Sequence, residues 1–178
     1  MTKFLMTAIL LLSLMGSAVA EDIPAYSRSL YLNTWNSVSS CINVRELVLI
    51  QRSLLDSSVT KTCTVSTGMW IDEYTGATIY SAPSIDIDHV VSLKEAHVSG
   101  AYRWSETAKR RFANDPDNLA VTSLSVNRSK GDRNILEWTP ADPARRWAYA
   151  YRYKIIKDQY NLSYTPAEAA LLNAILTQ

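Results

Sequence analysis

Apolar residues recur at helix-like intervals between Ile42 and Leu55, which predicts a first helix over that span. From Thr62 to Trp70 the pattern alternates as in a strand. Asp72-Glu73-Tyr74-Thr75-Gly76 then reads as a turn before a second short strand near Ala77 to Tyr80. Over Ser84 to Leu93, Ile85 and Ile87 point inward ahead of His89, as expected of another strand. Lys94 to Ala113 fits one or two helices, with Ser99-Gly100 as a stop between them. A strand over Asn118 to Thr122 comes next, and a helix from Val126 to about Lys130 carries Asn127. Pro143 to Tyr160 predicts a long helix. The last helix opens at Thr165-Pro166-Ala167-Glu168, a capping box with proline in the first turn. There are no repeats and no low-complexity segment, and the mixture of elements indicates an α+β class.

The first twenty residues depart from this pattern. Lys3, an apolar core from Phe4 to about Met15, and Ser17-Ala18-Val19-Ala20 read as a secretory signal peptide cleaved after Ala20. The core is 12 residues long, where a spanning helix needs roughly 20. An uncleaved anchor is the alternative. No other apolar run approaches membrane length, so no membrane association is expected once the signal is removed. The 158 residues that follow, 21–178, suit one domain. Localisation is expected to be periplasmic or extracellular. Cys41 and Cys63 are the only cysteines, and an even count in an exported chain suggests one disulfide, with two separate buried thiols as the alternative. A Cys2His2 zinc site has no further ligands at suitable spacing.

Charge is balanced overall and uneven locally. Between Arg103 and Lys157 there are 12 basic and 6 acidic residues, whereas Glu21 to Tyr102 has 5 basic and 9 acidic. A polyanion would be drawn to the basic half, with an affinity that falls as salt rises. Paired, solvated helix faces are the plainer explanation for any single cation.

The chemistry is concentrated in Asp86-Ile87-Asp88-His89, Asn118 and Asn127-Arg128-Ser129-Lys130-Gly131-Asp132. A phosphodiester resists attack because its charge repels nucleophiles and its leaving alkoxide is poor. One divalent cation bound to a phosphate oxygen and the leaving oxygen answers both problems. Magnesium takes a few protein oxygens, with water and phosphate filling the remaining positions. The Asp88 carboxylate and the Asn127 amide oxygen are such ligands. His89, with an ordinary pKa of about 6.5, can take a proton from water near neutrality. Asn118 is the candidate to orient its ring. Asp88 and His89 point to opposite faces of a regular strand, so a shared site requires the strand to end or bulge over Asp88 to Val90.

This ordered set resembles the HNH, or His-metal finger, nucleases in the variant whose third motif residue is asparagine. The HNH domain of CRISPR effector nucleases has a similar order. A branch of secreted bacterial HNH proteins is a closer match, through Gly68-Met69-Trp70, Tyr74-Thr75-Gly76, Ser99-Gly100-Ala101, Phe112-Ala113-Asn114-Asp115 and Trp138-Thr139-Pro140. The likeness runs from about Cys41 to the C-terminus. It implies a ββα-metal core embedded in a mostly helical single domain, with His89 as general base, Asp88 and Asn127 as metal ligands, and Asn118 orienting the histidine. Two departures stand out. Ser92 replaces a proline found in many relatives, and a second, C-terminal cysteine pair is missing, so packing must hold the last helices.

The expected function is an exported, metal-dependent endonuclease of low sequence specificity. Its cofactor is a divalent metal, magnesium first with manganese or zinc as alternatives, and its partner is nucleic acid, DNA ahead of RNA. No protein partner is expected. Lys130, Arg128 and Arg45 are candidate substrate contacts, although Arg45 equally suits structural pairing. Asp86 is expected to support the site rather than ligate, and His97 to lie on a surface. Competing readings are a catalytically inactive nucleic-acid-binding domain, a hydrolase of another phosphoester, or an envelope structural protein.

Overall fold

Helix α1 (Val44–Arg52) begins where the Asn43 side chain accepts the Glu46 amide hydrogen, satisfying a first-turn donor. It is the first helix of a computed structural model that describes residues 22–177. The expected signal peptide and its junction after Ala20 lie outside the described residues. Strands β1 (Ser58–Val59), β2 (Val65–Ile71) and β3 (Thr78–Ser81) form an antiparallel sheet in that order. A second, two-stranded sheet pairs β4 (Ile85–His89) antiparallel with β5 (Leu119–Ser123). Helices α2 (Leu93–Val98) and α3 (Glu106–Ala113) lie between those strands in sequence. Helix α4 (Leu124–Lys130) leaves directly from β5, and α5 (Pro143–Gln159) and α6 (Pro166–Leu176) complete the chain. The class is α+β, with six α-helices and small antiparallel sheets among the described residues.

The β4–β5 pair separates two hydrophobic clusters. Ile85, Ile87, Leu119 and Val121 share one with Val44, Val48, Leu49 and Trp70, while Ala120, Val90 and Val91 belong to another with Phe112, Tyr149 and Tyr153. Alternation along the strands produces this division, because cross-strand partners such as Ile87 and Val121 project to the same face. The Trp70 indole N–H donates to the Leu49 carbonyl at 2.8 Å, so the ring is buried with its polar edge satisfied.

Element boundaries differ from the expected ones where side chains intervene. The strand expected to reach Leu93 stops at His89, because Ser92 caps α2 by accepting the Glu95 amide hydrogen. The region 94–113 divides into α2 and α3 around Gly100, whose φ of 125° suits glycine. Strand β1, not expected from the sequence, pairs across the turn that holds the disulfide. Cys41 and Cys63 are bonded, with Cα atoms 5.4 Å apart.

The C-terminal helices carry a polar tie in place of a covalent one. The fully buried Lys157 Nζ bonds Glu95 at 2.6 Å, Glu168 at 3.0 Å and the Ser99 hydroxyl at 3.1 Å. Tyr153 donates to Glu168 at 3.0 Å. One ammonium therefore joins α2, α5 and α6, and the capping box at Thr165 sets where Glu168 stands. Burial of this kind is tolerated because every member is paired.

Candidate active site

Three consecutive residues of β4, Ile87, Asp88 and His89, line a cleft of about 380 Å³ with Asn127, Arg128, Gly131, Ser92, Tyr26 and Arg28. Pairing stays in register through His89↔Leu119, so no bulge turns the backbone. The strand ends there instead. With β5 on one edge of β4 and, among the described residues, no strand on the other, both Asp88 and His89 border the same opening although they leave opposite faces.

His89 is buried against Trp35, whose ring stacks at 5.8 Å and 13°. Its Nε2 lies 2.8 Å from the Ala113 carbonyl oxygen. A carbonyl can only accept, so this nitrogen carries the hydrogen and Nδ1 is left as the basic lone pair. Burial lowers the imidazole pKa to about 4, against the upward pull of the Ala113 carbonyl and of Asp88. The ring is therefore neutral at pH 7.

Asn118 does not orient that ring directly, as the sequence suggested. Its side chain is fully buried and embraces the peptide after β4, accepting from the Val91 N–H at 2.9 Å and donating to the Val91 carbonyl at 3.1 Å. Its own carbonyl accepts from the Val90 amide at 2.8 Å. Asn118 thus fixes the turn that ends the strand, while the backbone of α3 aims the imidazole. The Asn118 segment is in turn locked from α5, where Arg152 donates to the carbonyls of Asp117 and Leu119 and pairs with Glu73 at 2.7 Å.

Asp88 is held from two sides. The Tyr74 hydroxyl donates to Oδ2 at 2.6 Å, and Lys130 Nζ lies 2.9 Å from Oδ2 and 3.2 Å from Oδ1. Lys130 also donates to the His89 carbonyl at 2.8 Å and has no exposed surface. It is accordingly not a substrate contact but an internal strut from α4 to the end of β4. Gly131 follows it with φ 59°, ending α4 as its amide bonds the Asn127 carbonyl at 2.8 Å. Ser92 donates to the Asp132 carbonyl at 2.8 Å and ties that turn to α2.

Asn127 borders the cleft with its amide fixed, since Nδ2 donates to Asp86 Oδ2 at 3.0 Å. Its carbonyl oxygen is then the end without a hydrogen-bond partner among the described residues. Asp86 thereby links β4 to α4 through the Asn127 side chain. Arg128 lines the cleft as well and makes no ion pair among the described residues. Arg45 is elsewhere: it pairs with Glu46 at 2.6 Å and donates to the Ala82 and Ile85 carbonyls, a structural role at the start of β4. His97 is not a surface residue. It is buried, with Nδ1 3.0 Å from the Tyr31 hydroxyl and Nε2 2.8 Å from the Pro24 carbonyl.

The basic half is less available than its composition implies, because Lys130, Arg152 and Lys157 are committed to internal bonds. Among the described residues no group of three or more His, Cys, Asp or Glu side chains is arranged to hold a metal. Any cation here would rest on Asp88 and the Asn127 amide oxygen. No helix among the described residues is long and apolar enough to cross a membrane.

Comparison with known proteins agrees with the motif. A secreted protein of Arthroderma benhamiae, described as uncharacterized, is 37% identical over 154 residues, which is 85% of this chain and 74% of that protein. No solved structure matches the chain significantly. The family model for the C-terminal domain of GmrSD restriction endonucleases matches residues 30–170, which include every residue of the cleft except Tyr26 and Arg28. The chain belongs to that family of nuclease domains.

Proposed function

We propose that the protein is an exported, metal-dependent endonuclease of the HNH type that hydrolyses nucleic acid, DNA in the first instance, with little sequence preference. One observation carries this reading: His89 offers Nδ1 as a free base in the same cleft that Asp88, Asn127 and Arg128 line, beside a strand–strand–helix unit of β4, β5 and α4. That unit fits a ββα-metal core. Family membership supports nuclease chemistry, and the secreted relative supports export.

The donor set fits a hard cation that needs few protein ligands. An ionised carboxylate has about four lone-pair positions. Tyr74 and Lys130 leave part of Oδ1 on Asp88 open, and the Asp86 bond turns the Asn127 oxygen away from itself. When bound, a magnesium ion would draw charge from a phosphate oxygen and from the leaving alkoxide. His89 removes a proton from the attacking water through Nδ1, while Ala113 keeps the proton on Nε2. An imidazole held near pKa 4 is a weak base; the negative charge of an arriving phosphodiester acts to raise it. Arg128, which has no carboxylate partner among the described residues, would meet that phosphate. A low sequence preference follows if the cations grip the backbone, since phosphates carry no sequence information directly.

Lys130 and Tyr74 already satisfy much of Asp88, and this favours a second reading, an inactive nucleic-acid-binding domain. His89→Ala separates the two. Loss of a general base costs about 10²–10⁴-fold in rate. The nuclease reading predicts a fall of that size in plasmid nicking with magnesium, at unchanged circular dichroism. Equal and negligible nicking by wild type and variant would favour the inactive domain.

A further inference from the structure

The cleft has a wall that lies outside the family match. Residues 22–31 form a strap at its edge, of which 22–29 precede the matched span, and Tyr26 and Arg28 line the opening together with His89 and Arg128. Three contacts hold the strap on α2. His97 bonds the Pro24 carbonyl and the Tyr31 hydroxyl, and the Tyr26 ring packs edge-on to His97 at 5.7 Å. Tyr26 and Tyr31 also meet at 6.1 Å. A buried histidine with both ring nitrogens bonded, neither of them to the reaction site, serves as the latch of this segment.

The strap brings a cation to the cleft that has no carboxylate partner among the described residues. Arg45, Arg52, Arg152, Lys130 and Lys157 all form ion pairs, and Lys130 and Lys157 do so fully buried. Arg28 and Arg128 are the two basic residues bordering the cleft, and neither makes an ion pair among the described residues. Arg28 is exposed on a short 3₁₀ turn (Arg28–Leu30), and its charge already reaches both the Tyr26 phenol and His89. The two carboxylates that line the same opening are taken up by lysines, Asp88 by Lys130 and Asp132 by Lys94 at 2.9 Å, and neither pairs with Arg28 or Arg128 among the described residues. The fork geometry of the two guanidinium groups suits the non-bridging oxygens of a phosphodiester.

We propose that Arg28 is a substrate-binding residue, taking a backbone phosphate of nucleic acid on the strap side of the cleft, with Arg128 on the α4 side and His97 as the residue that positions the strap. The contact belongs to the ground-state complex: it holds the strand across the cleft and leaves the chemical step to His89. This assignment rests on the nuclease reading above.

The test uses the mature protein carrying His89→Ala, in EDTA so that nothing is cut, with fluorescein-labelled duplex DNA and single-stranded RNA as probes. Binding is measured across a salt series with and without Arg28→Ala. Losing one phosphate contact should lower the log–log salt slope by about 0.9 on the duplex or about 0.7 on the single strand. In the active protein with magnesium, Arg28→Ala should raise KM several-fold and leave kcat within about twofold, and Arg28→Lys should recover most of the salt slope. His97→Phe, which keeps an aromatic ring but drops both latch bonds, should weaken binding in the same direction as Arg28→Ala and add little when combined with it. Unchanged slope and KM in a parent that binds and cuts would overturn the role of Arg28 alone. A loss confined to kcat would also overturn it. A parent that neither binds nor cuts either probe would overturn the nuclease reading and this assignment together.

Discussion

Replacing Lys130 by Met tests whether this lysine is part of the fold or part of the substrate grip. Methionine keeps the length of the buried stem and removes the ammonium, which bonds Asp88 at 2.9 and 3.2 Å and the His89 carbonyl at 2.8 Å. Removing one member of a buried pair leaves an uncompensated charge, at a cost of about 3–5 kcal/mol. The Tyr74 hydroxyl stays on Asp88 and limits the loss, which places the expectation at the lower end, about 3 kcal/mol. For a domain of this size each kcal/mol moves the midpoint by about 2–4 °C, so melting should fall by about 6–12 °C. Urea unfolding and a thermal scan followed by circular dichroism give both numbers. Freed of its ammonium, Asp88 should bind divalent ions more tightly, and magnesium should raise the midpoint of the variant more than that of wild type. A stability loss below about 1 kcal/mol, accompanied by weaker nucleic-acid binding, would refute the argument and return Lys130 to the substrate.

Asn118→Ala should behave as a structural lesion. It orphans the Val91 N–H and carbonyl in a fully buried position, at about 1–3 kcal/mol for each group. Urea titration should show this loss; wild-type stability with an altered pH–rate profile would instead mean that Asn118 acts on the imidazole. Opening the Cys41–Cys63 bond should lower stability by about 3 kcal/mol on the chain-entropy argument, measured as a shift in melting with reductant. Turnover at 25 °C should survive reduction, since neither cysteine borders the cleft, and prompt loss of activity without a melting shift would contradict that separation.

The site was legible in the sequence to the extent that its chemistry resides in side chains. Asp88, His89 and Asn127 do border one cleft, and the helix start at Thr165 is found at the capping box that marked it. The partner of His89 was not legible, because it is a backbone carbonyl, and Ala113 has no side-chain signature for that role. Tyr74 and Ala113 both lay inside motif words without any hint of what they touch. Lys130 misled for a physical reason: a lysine two residues from a cleft-lining arginine reads as surface charge until a carboxylate is found 2.9 Å away in the interior. His97 misled similarly, since helical spacing gave no sign that residues 22–31 would fold back over it. Periodicity records which face of an element is buried, and the identity of what covers it comes from long-range contacts.

The most direct test of the account is cleavage by the mature wild-type protein of supercoiled plasmid and of single-stranded RNA, with magnesium, with EDTA, and with magnesium restored after EDTA. The account predicts nicking and then fragmentation of DNA without a defined banding pattern, silence in chelator, and recovery when the ion is returned. Full activity in EDTA would contradict the roles given to Asp88 and Asn127, and no cleavage of either nucleic acid under any divalent ion would contradict the central claim.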